Sequence, residues 1–291
     1  MSNWKKEYDE LILKGDLDGA IALCKSSVRT DKKIYKFFKG TNRDLNTVKE
    51  NKIWMSRGDY FNDPFDSSFF VNRKSKERYP EEERDMAIRD FLEQEDQDNL
   101  SHDMQHNSLI TSFSENSDSI LMWSYYARDH KGFCVEYSLS KLVEKQLILP
   151  VVYSDNMLQI TKYTENNRII GMLVKAKCWQ HEKEWRMIKL ADENSLENGE
   201  LVENIPLPTA FFYGIRIWNN ERENIESKHE YNVLCKEIKD KKCKISINPP
   251  YEDMTVDIQY IMQYTKEKKI PLYGYELSRN EFSLKKIRLI P

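Results

Sequence analysis

No uninterrupted apolar run in this chain is longer than a β-strand, and that feature closes more folding routes than any other. The longest runs resemble Leu147–Tyr153, LILPVVY. A helix that spans a bilayer needs roughly 20 apolar residues, so no membrane segment is expected. Short apolar runs separated by turn residues call instead for strands packed against amphipathic helices. At 291 residues, with 40% hydrophobic and 12% aromatic residues, the chain can build one large core. Lys and Arg (45) nearly balance Asp and Glu (48), and a net charge of -3 creates no global field for nucleic acid. A local basic groove remains open. The opening MSNWKKEYDE is charged and has no apolar core of a secretory signal. Cys24, Cys134, Cys178, Cys235 and Cys243 are scattered singly, which suits neither a disulfide framework nor a zinc site. The expectation is a cytoplasmic protein without a bound metal.

Periodicity then assigns elements. Residues 4–28 place Tyr8, Leu11, Ile12, Ala20, Ile21, Leu23 and Cys24 at helical spacing around Gly15-Asp16, which predicts an N-terminal helical hairpin with Asp16 as a cap. KIYKFF, IWMS, SLITSFS, GFCVEYS, VVYSD and EWRMIKL read as strands. FFYGIRIW, KISINPP, PLYGYEL and FSLKKIRLI extend the series toward the C-terminus. RDLNTVKENK and SILMWSYYARDH read as helices, as do segments around 157–170 (running on into GMLVKAK), 220–238 and 253–266. The charged stretch 73–107 reads as a solvated face carrying a surface helix or two. Strands and helices mix without a βαβ repeat. This predicts an α+β fold with a central mixed or antiparallel sheet and flanking helices: a helical extension over 1–30 and a single domain over 31–291.

Three dense segments carry the candidate chemistry. In FNDPFD, Asn62, Asp63 and Asp66 stand among Tyr60, Phe61 and Phe65. Asn, Asp and Pro make a tight turn by bonding their own backbone and fixing φ. The same aromatic and carboxylate groups on a loop tip also suit a small-molecule pocket. In MWSYYARDHKGF, helical spacing puts Trp123, Tyr126, Ala127 and His130 on one stripe, with Tyr125 and Asp129 beside it. Core packing and a ligand platform both explain such a stripe. His130 in a last helical turn would be favoured as a cation, and Gly132 would cap the end. In EKEWR, a strand puts Glu182, Glu184 and Arg186 on one face. That face is either a structural ion-pair ladder or a site that orients a ribose hydroxyl and splits two carboxylates into acid and base. The chain has no nucleophile elbow, phosphate-binding loop, HExxH or dinucleotide fingerprint.

Taken in order, these segments resemble a bacterial family of unknown function, the one numbered 2971. The matching residues are Tyr35-Lys36-Phe37, Phe61 to Asp66, Ser112-Phe113-Ser114, Met122 to Glu136 and Tyr153. They continue with Lys175, Trp179, Glu182, Glu184, Trp185 and Arg186, then Tyr213-Gly214 and Phe282-Ser283-Leu284. The order of a strand with Tyr35-Lys36, a helix, a strand ending in Ser56 and a later Glu-x-Glu strand is also similar to ADP-ribosyltransferases. That more distant resemblance implies NAD as cofactor and cleavage of the nicotinamide–ribose bond through an oxocarbenium-like transition state. Under it Glu184 is the catalytic carboxylate, with Glu182 and His130 assisting. Lys36, Ser56, Asn62, Asp63, Phe65, Asp66, Trp123, Tyr125, Tyr126 and Arg186 bind the nucleotide. Lys36 stands where those enzymes carry Arg or His. A protein or nucleic-acid acceptor, a protein partner for the N-terminal helices and a role as an antiviral or toxin effector follow by association alone. Two other classes stay open: Mg²⁺-dependent phosphodiester cleavage through Asp63, Asp66, Glu182 and Glu184, and a nucleotide sensor without turnover.

Overall fold

Apolar side chains at period two draw the strands, and capped amphipathic segments draw the helices. The computed structural model describes residues 3–61, 63, 65–67, 69–71, 98–160, 164–191, 199–213, 258–278 and 280–290. The predicted helix at 220–238 and the strand KISINPP lie outside these residues, as does most of the charged stretch; its end, 98–106, is helical. The chain forms two compact units. One comprises Met1–Arg29, Trp54–Ser112 and Val143–Val202, the other Thr30–Ile53, Phe113–Leu142 and Glu203–Pro291.

The first unit opens with the expected hairpin, α1 (Asn3–Lys14) and α2 (Leu17–Ser27). Asp16 accepts from the Gly19 amide at 2.9 Å and so starts α2 as predicted. The hairpin is tied to its unit by the Tyr8 hydroxyl, which donates to the Pro150 carbonyl at 2.9 Å, and by Trp4 against Trp185. In the strand order β11-β2-β4-β10-β6, β2 is Ile53–Arg57, β4 is Ser108–Ser114 and β6 is Ile148–Pro150. β10 is Glu184–Leu190 and β11 is Gly199–Val202. Two parallel pairs join β3 (Phe69–Val71) to β8 (Leu158–Ile160) and β7 (Val152–Ser154) to β9 (Val174–Ala176).

The predicted helix over 157–170 is corrected here. Leu158 and Ile160 are buried on either side of an exposed Gln159, a strand pattern. The helix, α6, runs only over Glu165–Gly171, started by Thr164, whose hydroxyl accepts from the Asn167 amide. Of GMLVKAK, Gly171 ends that helix and Val174–Ala176 forms β9.

The second unit holds β1 (Lys33–Phe38), which lies antiparallel to β5 (Phe133–Ser138) from Lys33↔Ser138 to Phe38↔Phe133. β12 (Ala210–Tyr213) is antiparallel to β5 and parallel to β13 (Leu272–Leu277), which pairs with β14 (Leu284–Ile290). The helices are α3 (Asn42–Lys49), α4 (Ile120–Tyr126) and α7 (Ile258–Lys268), and α5 (Leu139–Lys145) crosses the boundary after Leu142. Mixed strand directions and flanking helices make this the expected α+β architecture. No helix among the described residues is long and apolar enough to cross a membrane.

Candidate functional site

The FNDPFD segment is the predicted turn. A short 3₁₀ turn over Gly58–Tyr60 leads into it, and Gly58 lies so close to the chain at Gln105 that a Cβ would sit 3.2 Å from the Gln105 Cα. Asp63 Oδ1 accepts from the Phe65 amide at 3.0 Å, and the Asp63 carbonyl accepts from the Asp66 amide at 3.0 Å. Gln105 Nε2 donates to the Asp66 carbonyl at 2.9 Å, while the Arg57 guanidinium donates to the His106 carbonyl. The loop is therefore closed by its own backbone and clamped from outside. Tyr60 and Phe65 remain 59% and 63% exposed. Asn62 lies outside the described residues.

Asp66 carries the loop into a buried ion cluster. Its Oδ1 and Oδ2 each accept a 2.6 Å hydrogen bond, from Arg186 Nη1 and Nη2 respectively, a bidentate fork. On β10 the alternation puts Glu184 and Arg186 on one face, and Arg186 Nε donates to Glu184 Oε1 at 2.8 Å. Nη1 also reaches the Met172 carbonyl at 2.6 Å, and the Phe61 ring lies 5.6 Å from the guanidinium carbon. Arg186 is wholly buried. Lys175, from β9, donates to Glu182 at 2.7 Å and to Glu184 at 3.0 Å, and lies 3.5 Å from Asp66. Three carboxylates thus surround two cations.

Glu182 reaches this cluster by a different route from the expected one. It ends a 3₁₀ segment, Lys177–Glu182, and Lys183 turns left-handed (φ 45°), so β10 begins only at Glu184. The two glutamates do not share a strand face. Lys175 joins them instead.

Burial pushes the Glu184 carboxyl up, but Arg186 and Lys175 more than offset it and hold it at about 2. Glu184 is thus an ionised acceptor near neutral pH. Asp66 and Glu184 surround Arg186 and keep its guanidinium charged despite burial. Tyr153 completes the setting by accepting from the Glu184 amide at 2.8 Å. Among the described residues no group of three or more His, Cys, Asp or Glu is placed to hold a metal ion. Of the oxygens that the sequence offered to Mg²⁺, both of Asp66, both of Glu184 and Oε2 of Glu182 are bonded to Lys175 or Arg186.

The remaining candidates divide between the units. Ser56 belongs to the first and pairs with Ile110 across β2 and β4. Lys36, Trp123, Tyr125, Tyr126 and His130 belong to the second. Trp123 is fully buried, edge-on to Phe37 and Tyr275, with Nε1 donating to the Ser117 carbonyl at 2.7 Å, so it is a core residue. Tyr126 packs against that core and Tyr125 is exposed. Lys36 Nζ lies over the rings of Phe38 and Phe113.

His130 corrects the predicted stripe. α4 ends at Tyr126, and Arg128, Asp129 and His130 all take left-handed φ of 49°, 51° and 68°. Burial pushes the imidazole pKa down, against the expected cationic preference, and Nδ1 is buried without a partner. Gly132 closes the turn for a steric reason: a Cβ there would lie 2.0 Å from the Phe38 carbonyl oxygen.

Sequence reasoning passed over Lys175 as a functional partner. Its only signal was its spacing within K-x-x-x-W-x-x-E-x-E, which gives no hint that one ammonium bridges both glutamates.

The profile of the family described as Protein of unknown function (DUF2971) matches residues 122–187. That stretch runs from α4 through the turn at 128–132 to Arg186 on β10, and leaves the FNDPFD loop outside it. No curated protein and no solved structure matches the chain.

Proposed function

We propose that the first unit binds a nicotinamide-type dinucleotide and that the protein is an ADP-ribosyltransferase-like enzyme. One observation supports this most: Glu184 is held ionised by Arg186 and Lys175 in the strand that follows the loop-braced cluster. An oxocarbenium-like transition state develops positive charge at the sugar, and a carboxylate fixed in its charged form stabilises that charge without reorganising. The exposed rings of Tyr60 and Phe65 suit a stacked planar base, on a loop that Asp66 fixes to Arg186. NAD is the dinucleotide expected, with a protein or nucleic acid as acceptor.

A second reading, nucleotide binding without turnover, is favoured by a specific feature: both Glu184 oxygens already accept hydrogen bonds from Arg186 or Lys175. A carboxylate so engaged can stiffen a binding loop and never meet a sugar.

The two readings separate by experiment. NAD should raise the melting temperature of the wild type, and the enzyme reading expects nicotinamide release that Glu184→Gln reduces at least ~100-fold, the scale of one lost electrostatic stabiliser. Stabilisation by NAD without nicotinamide release leaves the sensor reading. No stabilisation by NAD removes the enzyme reading and leaves a binding module for another nucleotide. Growth arrest on expression that Glu184→Gln relieves would support an effector in antiviral defence or a toxin system.

A further inference from the structure

Two histidines one helical turn apart meet a carboxylate at the entry to the braced loop. His102 and His106 stand at i and i+4 in the helical segment 98–106, so both side chains leave the same side of it. Their rings are nearly parallel, at 8°, with centroids 5.7 Å apart. His106 Nδ1 lies 3.3 Å from Oδ2 of Asp59, which belongs to the 3₁₀ turn that leads into the loop. A carboxylate accepts and does not donate, so Nδ1 carries the hydrogen and the lone pair of the neutral ring sits on Nε2. That tautomer is the one that ligates a metal with a carboxylate behind it. Solvent reaches the place: His102 is exposed, and the His106 side chain is 43% exposed. An ion with metal–nitrogen bonds of about 2.1 Å sets its two nitrogens about 3.4 Å apart, and exposed His102 can turn to that distance without moving packed neighbours.

We propose that His102 and His106 bind a divalent d-block ion such as Zn²⁺, with Asp59 as the positioning residue that orients His106. Imidazole nitrogen suits zinc, nickel or copper, whereas magnesium takes oxygen ligands. Among the described residues no group of three or more His, Cys, Asp or Glu is placed to hold a metal ion, so the ion has two protein ligands here and water at its other positions. Its effect is mechanical. Between the two histidines in the chain, Gln105 Nε2 donates to the Asp66 carbonyl, and the His106 carbonyl accepts from the Arg57 guanidinium. An ion that joins His102 to His106 fixes the last turn of the helical segment, and with it the groups that clamp the FNDPFD loop. The two histidines lie outside the buried ion cluster, so this site stands or falls apart from the nucleotide reading.

The test is calorimetric titration of zinc chloride into the full chain, with magnesium chloride for comparison. Zinc should bind and raise the melting temperature by linkage, and magnesium should do neither. His102→Asn removes a ligand and should weaken zinc binding at least ~10-fold, and Asp59→Ala should weaken it about tenfold or more by leaving His106 unoriented. A circular dichroism spectrum and zinc-free melting temperature near those of the wild type show that each variant is folded. Zinc should also slow hydrogen exchange at the Phe65 and Asp66 amides of the wild type and not of His102→Asn. Absence of zinc binding by the wild type overturns the site, as does magnesium binding of equal affinity. Zinc binding by His102→Asn as tight as by the wild type also overturns it, because the ion then sits elsewhere, the exposed Cys178 thiol included. Unchanged affinity in folded Asp59→Ala overturns the part assigned to the carboxylate.

Discussion

At the scale of single residues, Arg186 is where stability is most exposed to a point change. A wholly buried guanidinium is tolerable only while its partners remain, and Asp66 supplies a bidentate pair at 2.6 Å on each arm. Asp66→Ala removes that pair, leaves the positive charge underground and detaches the loop at once. The expected cost is about 3–5 kcal/mol, checked by urea denaturation. Replacing Asp66 and Arg186 together by apolar residues strands no cation, but it takes from buried Glu184 the bonds at 2.8 and 3.1 Å, so the double replacement should keep part of that cost. A double replacement as stable as the wild type would show that Glu184 does not depend on Arg186. None of this was readable from the chain alone. Asp66 and Arg186 are 120 positions apart. FNDPFD announced a turn because Asn, Asp and Pro act on their own backbone, but nothing local says which distant cation a turn carboxylate will meet.

At the scale of elements, the turn after α4 shows where pattern reading stops. Trp123, Tyr126, Ala127 and His130 have a helix's spacing, yet the helix is abandoned after Tyr126 for three left-handed residues. Each such residue costs roughly 1–2 kcal/mol outside glycine, so the turn persists because its surroundings hold it. The His130 amide donates to the Trp123 carbonyl and the Gly132 amide to the Ala127 carbonyl, at 3.1 and 2.8 Å. Gly132 also lets the turn lie against the end of β1, where a methyl group would collide with the Phe38 carbonyl. Gly132→Ala should therefore destabilise the protein by about 1–3 kcal/mol or more, read as a lowered denaturation midpoint. A midpoint within error of the wild type would show that β1 can move away. By contrast, β1, β4 and the start of α2 were legible, because strand alternation and an Asp cap are written within a few residues.

For the whole molecule, the ion cluster couples folding to pH. The folded-state pKa of Glu184 lies at about 2, below its ordinary value of 4.5. A depressed carboxylate contributes stability that is fully present above the unfolded pKa and is lost as pH falls through the folded one. Stability should therefore decline between about pH 4.5 and pH 2, with Glu184 contributing on the order of 3 kcal/mol. Urea midpoints measured across that range provide the check. Glu184→Gln should lower the plateau at neutral pH and flatten this acid limb. An acid limb of unchanged steepness in the variant would assign the pH dependence to other carboxylates.

What the sequence determined by itself is the material: strand-length apolar runs, a capped helical hairpin, an α+β mixture and a turn at FNDPFD. These follow from interactions within a few residues, where periodicity and backbone chemistry act directly. Tertiary structure alone decided what the charges do. Lys175 bridges Glu182 and Glu184, and Arg186 closes on Asp66. The carboxylates, which by themselves suit an ion-pair ladder or an acid–base pair, are thereby buried partners of two cations, with Glu184 held ionised. The reason is physical. A charge taken out of water must find a counter-charge wherever the fold brings one, and that partner need not be near it in the chain.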